Sequence, residues 1–143
     1  MKPIIDHIQI TVKSFEVAEP FYDKLMPILG FDINQKSKGT VKEHEFDVIE
    51  YFHPLLIFAI NSPREVFKKE TIHRRKPGAI HHLAFKAEST DEVDRLYPLI
   101  KNVGADIVKP PQYYPQHGGN YYALFFKDLE GIKYEIVYDK RDK

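Results

Sequence analysis

The chain has 143 residues, with 21 basic and 21 acidic side chains and no cysteine. That length suffices for one ordinary domain with its own core; the balanced charge argues against a nucleic-acid or anionic-membrane partner, and disulfides and thiolate metal sites are excluded. The opening "MKPIIDHIQITV" reaches Asp6 and His7 before an apolar run develops, and no stretch approaches the roughly 20 apolar residues of a membrane span, so a soluble cytoplasmic protein is expected.

In chain order, "PIIDHIQITVKS" alternates as a strand, with Ile8, Ile10 and Val12 on one face and His7, Gln9 and Thr11 on the other. Ser14 is the expected N-cap of a helix through "FEVAEPFYDKLMPILG", where Val17, Phe21, Leu25 and Ile28 fall at helical spacing and Gly30 is the stop. Pro20 and Pro27 predict that this helix is short or bent. Residues 31–60 supply three strands, "FDINQKS", "HEFDVIEYF" and "LLIFAI", separated by the turn-like "SKGT" and "HP". Residues 62–78 are charged, lack alternation and hold two prolines, which reads as a surface connection.

The pattern then restarts. "AIHHLAFKA" is a strand, and Ser89 begins the box-like "STDE" with Glu92 three residues on. "EVDRLYPLIKNVG" is a helix with Val93, Leu96, Ile100 and Val103 inward, ended by Gly104. "ADIVKPP" is a strand and "YYPQHGGN" a loop; "YYALFF" and "KYEIVY" are strands joined by a tight turn in "KDLEG".

This is an internal repeat. A shift of 75 residues puts His7 on His82, Ser14 on Ser89, Tyr22 on Tyr97, Leu25 on Ile100 and Ile28 on Val103. One deletion after the helix then aligns Gly30 with Gly104, Asp32 with Asp106 and Ile33 with Ile107. Each half reads β-α-β-β-β. The expected fold is therefore α+β: two βαβββ modules in tandem, forming an open barrel or cup with helices outside. Residues 1–143 are expected to make a single domain, with module 1 at about 1–62, a connection at 62–78 and module 2 at about 79–140.

Strand parity gathers the chemistry on one face. His7, Gln9 and Thr11 come from the first strand, His82 and Ala84 from its repeat, and Lys133, Glu135 and Val137 from the last. Two imidazoles and a carboxylate suit a borderline divalent cation, and three protein ligands leave coordination positions open. A single strand histidine is more often a hydrogen-bonded structural residue; what favours a metal is that His7 and His82 occupy equivalent repeat positions. His81 should face away from the site, and His44, His53 and His73 lie in polar or turn-like contexts.

With "DHIQITV", "FYDKLMPILGF", "IHHLAFKA" and "FFKDLEGIKYE" in place, the chain resembles the vicinal oxygen chelate superfamily, which includes glyoxalase I, bleomycin-resistance proteins, fosfomycin-resistance proteins, methylmalonyl-CoA epimerases and extradiol dioxygenases. The last stretch is similar to the family ending, with Leu129 where proline is usual. The resemblance implies paired βαβββ modules around one divalent metal ion (Fe, Mn, Ni, Co or Zn) held by His7, His82 and Glu135, a small oxygenated substrate, and a homodimer. Two departures stand out. The glutamate or glutamine that several members carry late in the first half is missing from Leu55–Ile60, and the tyrosine of extradiol dioxygenases falls on Phe125.

A proton must also move, and "PPQYYPQHGGNYY" supplies the candidates Tyr114, His117 and Tyr121, in a loop that Gly118 and Gly119 could let open as a lid. Only one of the neighbours Tyr121 and Tyr122 can face inward. The favoured expectation is a metalloenzyme of lyase, isomerase or dioxygenase type. The alternative is a metal-free sequestering protein of bleomycin-resistance type, favoured by the missing fourth ligand and the 13% aromatic content.

Overall fold

The computed structural model describes residues 1–141. It divides into two compact units, Met1–Thr71 and Ile72–Lys143. The first holds β1 (His7–Thr11), α1 (Phe15–Ile28), β2 (Asp32–Val41), β3 (Phe46–His53) and β4 (Leu56–Asn61), in sheet order β1-β4-β3-β2. The second holds β5 (Leu83–Lys86), α2 (Thr90–Asn102), β6 (Asp106–Tyr113), β7 (Tyr122–Lys127) and β8 (Lys133–Tyr138), in sheet order β5-β8-β7-β6. In both units the first strand pairs parallel with the last and the remaining pairs are antiparallel. Each unit is thus the expected α+β βαβββ module.

The repeat extends to the helix ends. Ser14 and Ser89 are the N-cap residues. Ser89 Oγ accepts from the Glu92 backbone N–H at 3.1 Å, while the Glu92 carboxylate accepts from the Glu88 N–H at 2.7 Å, a variant of the capping box. Gly30 and Gly104 follow the two helices with φ of +93° and +95°, a left-handed conformation that a side chain would strain.

Several elements differ from expectation for physical reasons. Helix α1 runs 14 residues with both prolines inside it, not a short piece. Pro20 and Pro27 lie on its exposed side, where a carbonyl that loses its helical partner can turn to water. Its buried stripe is Ala18, Phe21, Tyr22, Leu25 and Met26, one step round from the predicted face, and Val17 is 42% exposed. The "SKGT" turn does not form: β2 continues through it to Val41, and the chain reverses in a short helical turn at Lys42–His44. Strand β6 extends to Tyr113 through Pro110 and Pro111, which an edge strand tolerates because one row of its N–H groups has no partner to lose. Strand β5 begins at Leu83, so His81 and His82 precede it rather than lie within it.

A charged clip fastens α1 to its sheet. Lys36 on β2 donates to Glu19 at 2.7 Å and to Asp23 at 2.9 Å, and the Tyr51 hydroxyl donates to Asp23 at 2.9 Å. The bond from Lys36 holds the Glu19 carboxyl below its ordinary value. A carboxylate with a depressed folded pKa stabilises the fold above its unfolded pKa, roughly 4.3, and that contribution is lost as pH falls through the folded value. Because the Glu19 side chain is still 23% exposed, Glu19→Gln is expected to cost at most about 1 kcal/mol at pH 7. Urea midpoints of the variant and the parent should differ at pH 7 and converge below about pH 3.

Candidate functional site

In the first unit, His7 opens β1 and its Nδ1 lies 2.7 Å from Asp6 Oδ1, with the imidazole side chain 64% exposed. A carboxylate on one ring nitrogen is how ligating histidines are commonly oriented, leaving Nε2 for the cation. On the same face, Gln9 and Thr11 donate to Asn61 Oδ1 at 3.2 and 3.4 Å. Asn61 is the last residue of β4. The register also explains the missing ligand. Gln9 pairs with Ala59 as Ala84 pairs with Glu135, so the first unit carries alanine where the second carries the acid.

In the second unit, Glu135 sits on the central strand β8, opposite Ala84 on one side and Phe125 on the other, and is only 1% exposed. A buried carboxylate is costly unless its oxygens are satisfied. Here His82 Nε2 lies 3.2 Å from Oε2, and the Tyr121 hydroxyl donates to Oε1. Tyr121, just before β7, therefore faces the acid, whereas Tyr122 faces the helix and donates to Asp94 on α2 at 2.6 Å. That settles which of the two neighbours reaches Glu135.

The loop before β7 brings further aromatic groups to the same place. The Tyr114 N–H donates to the Tyr121 carbonyl at 2.9 Å, closing residues 114–121 into a hairpin extension, and a short helical turn forms at Pro115–His117. The Tyr114 ring lies 5.4 Å from Phe125 and 6.2 Å from Tyr121; His117 lies 5.1 Å from Tyr121. The Tyr114 hydroxyl is buried with no hydrogen-bond partner. Burial, and then the Glu135 charge, raises its ionisation above the ordinary phenol range. Burial and the bond to Glu135 do the same for Tyr121. The Asp94 bond pushes Tyr122 up to about 12. Both site phenols are therefore hydrogen-bond donors at neutral pH.

The second unit thus brings together five of the six expected site residues, Tyr114, His117, Tyr121, His82 and Glu135, while His7 stands in the first unit. Among the described residues no three His, Asp or Glu side chains are gathered as a metal-holding group. His82 and Glu135 form a donor pair of the right chemistry, an imidazole nitrogen beside a carboxylate, for two positions on a borderline divalent ion. Two neighbours carry a weaker sequence signal. Lys133 and Phe125 share the face of Glu135 by parity and register, and Lys133 Nζ stands 4.8 Å from the Phe125 ring centre. Arg74, in the charged connection, has no such signal.

Two mixed four-stranded βαβββ sheets of identical strand order define a glyoxalase-like fold. The Glyoxalase/Bleomycin resistance protein/Dioxygenase superfamily model matches residues 4–136. The chain belongs to that superfamily. It is 27% identical over 131 residues to the uncharacterized protein YqjT of Bacillus subtilis (strain 168), covering 92% of this chain and 95% of that protein. A glyoxylase/bleomycin resistance protein/dioxygenase domain from Frankia sp. EAN1pec superposes with a TM-score of 0.78 at 20% identity, covering 98% of this chain and all of that one. A candidate glyoxalase from Bacillus halodurans reaches a TM-score of 0.72 at 28% identity, covering 96% of this chain and 97% of the other. No helix of the described residues is long and apolar enough to cross a membrane.

Proposed function

We propose that this chain is a metalloenzyme of the superfamily, acting on a small oxygenated molecule by lyase, isomerase or dioxygenase chemistry. His82 and Glu135 would hold one divalent ion, with His7, the repeat-equivalent of His82, as third ligand. The two units would act as one domain, in a homodimer. The observation that carries the reading is the buried Glu135 paired with His82, beside a Tyr114 hydroxyl that is buried and unpartnered. When bound, such an ion polarises a carbonyl or stabilises an enolate.

The chain's own groups then have distinct parts. Tyr114 has a free O–H to offer a substrate oxygen, because a buried hydroxyl without a partner is otherwise an unrecovered desolvation cost. Tyr121 steadies Glu135 from the other oxygen. His117, an imidazole next to the phenols, is the residue of the cluster suited to accept or return a proton. Phe125 supplies an apolar wall.

Metal analysis of protein purified without chelator should find about one divalent ion per chain. His82→Ala should lose it while keeping the circular-dichroism spectrum of the parent. A second reading, metal-free sequestration of a ligand, is favoured by Ala59 at the place of a second acid and by the aromatic cluster. Failure of the wild type to take up iron, manganese, nickel, cobalt or zinc would decide for it.

A further inference from the structure

His81 and His82 meet through their Nδ1 atoms at 2.8 Å, and Arg74 Nε donates to His81 Nε2 at 3.3 Å. A guanidinium has donors only, so His81 accepts at Nε2. A neutral His81 then carries its proton on Nδ1 and donates it to His82 Nδ1. A neutral His82 must in turn carry its proton on Nε2, aimed at Glu135 Oε2, 3.2 Å away. Reversing any link sets two N–H groups, or two lone pairs, against each other. The chain of contacts therefore has one direction, from Arg74 to Glu135.

We infer that His81 is a positioning residue which, held by Arg74, sets the tautomer of His82. Its consequence rests on the reading of His82 as a ligand through Nε2. Ligation there needs the lone pair of that nitrogen, so the His82 proton must sit on Nδ1 instead. His81 must then accept at Nδ1 and move its own proton to Nε2, where it opposes the Arg74 N–H. The Arg74–His81 contact thus favours the form of His82 that does not ligate, and its release accompanies loading. Removing the Arg74 donor should tighten cation binding, the reverse of what most changes beside a metal site do.

The test uses the full chain labelled with ¹⁵N and freed of metal by chelator. Long-range ¹H–¹⁵N spectra report which imidazole nitrogen bears the proton, with the His82 signals assigned by their loss in His82→Gln. Wild type should show His82 protonated on Nε2, and both Arg74→Met and His81→Phe should shift it toward a mixture of tautomers. His81 is exposed and Arg74 only half-buried, so both variants should fold. An Nδ1-protonated His82 in the wild type, or an unchanged pattern in both variants, overturns the inference. Calorimetric titration with Zn²⁺ should then show Arg74→Met binding about tenfold more tightly than wild type. Equal or weaker binding overturns the coupling. If the spectra behave as expected and no form binds a cation, the positioning role stands and the metal reading falls.

Discussion

Glu135→Gln is expected to lower divalent-cation affinity at least about 100-fold, beyond the 10–100-fold that loss of an outer-shell partner typically costs. The reason is charge. Glu135 is the acid that His82 Nε2 and the Tyr121 hydroxyl both meet, and glutamine keeps its shape while removing the negative charge a cation needs. One carbonyl oxygen remains to accept from Tyr121, so the fold should change little. Competition titration with Zn²⁺ or Mn²⁺ measures the first effect, and thermal unfolding of the metal-free variant controls for the second. Parent-like affinity in Glu135→Gln would remove this carboxylate from the proposed metal centre.

The largest effect on stability should come from Phe58→Ala, at about 3–5 kcal/mol. Phe58 is 0% exposed on β4, paired with Ile8 of β1 and Tyr51 of β3. Its ring lies 5.6 Å from Tyr22 of α1 and 6.5 Å from Phe31, so truncation removes a ring contact between helix and sheet and leaves a cavity between rings. Domains have roughly 5–15 kcal/mol in total, so this one truncation should take a large share of the fold's stability. Phe67→Ala, at a side chain 51% exposed, should stay within about 0.5 kcal/mol. Denaturant titration compares the two; a Phe58→Ala loss below about 1 kcal/mol would contradict the packing described.

The two predictions draw on information of different kinds. Phe58 lies in "LLIFAI", a short apolar run that marks a strand without saying which of its residues meets the helix. Glu135 is an inward residue of "KYEIVY" by simple alternation, and its repeat relation to Ala59 emerges only when the strand pairs are known. Helix α1 is the reverse case. Its spacing is plain, yet the buried stripe lies one step round from the face that spacing predicts, because Tyr22 and Met26 compete with Val17 and Ile28 for the inward face and only packing against the sheet chooses between them. The "SKGT" stretch looked like a turn because glycine and serine favour turns, but an edge strand paired with β3 accommodates them equally well.

Read alone, the amino-acid order determined the doubled βαβββ plan, the Ser89 cap, the two glycine stops and the parity that puts Lys133 and Glu135 on one face. All of these depend on residues two to four positions apart, where backbone geometry dictates which side chains are neighbours. Tertiary structure alone decided that Tyr121 and not Tyr122 reaches Glu135, that Tyr114 buries an unpaired hydroxyl, and that Arg74 and His81 stand behind His82. Apart from the contact between the neighbours His81 and His82, those meetings join residues 7 to 14 apart, and are set by ladder register and loop closure rather than by local spacing.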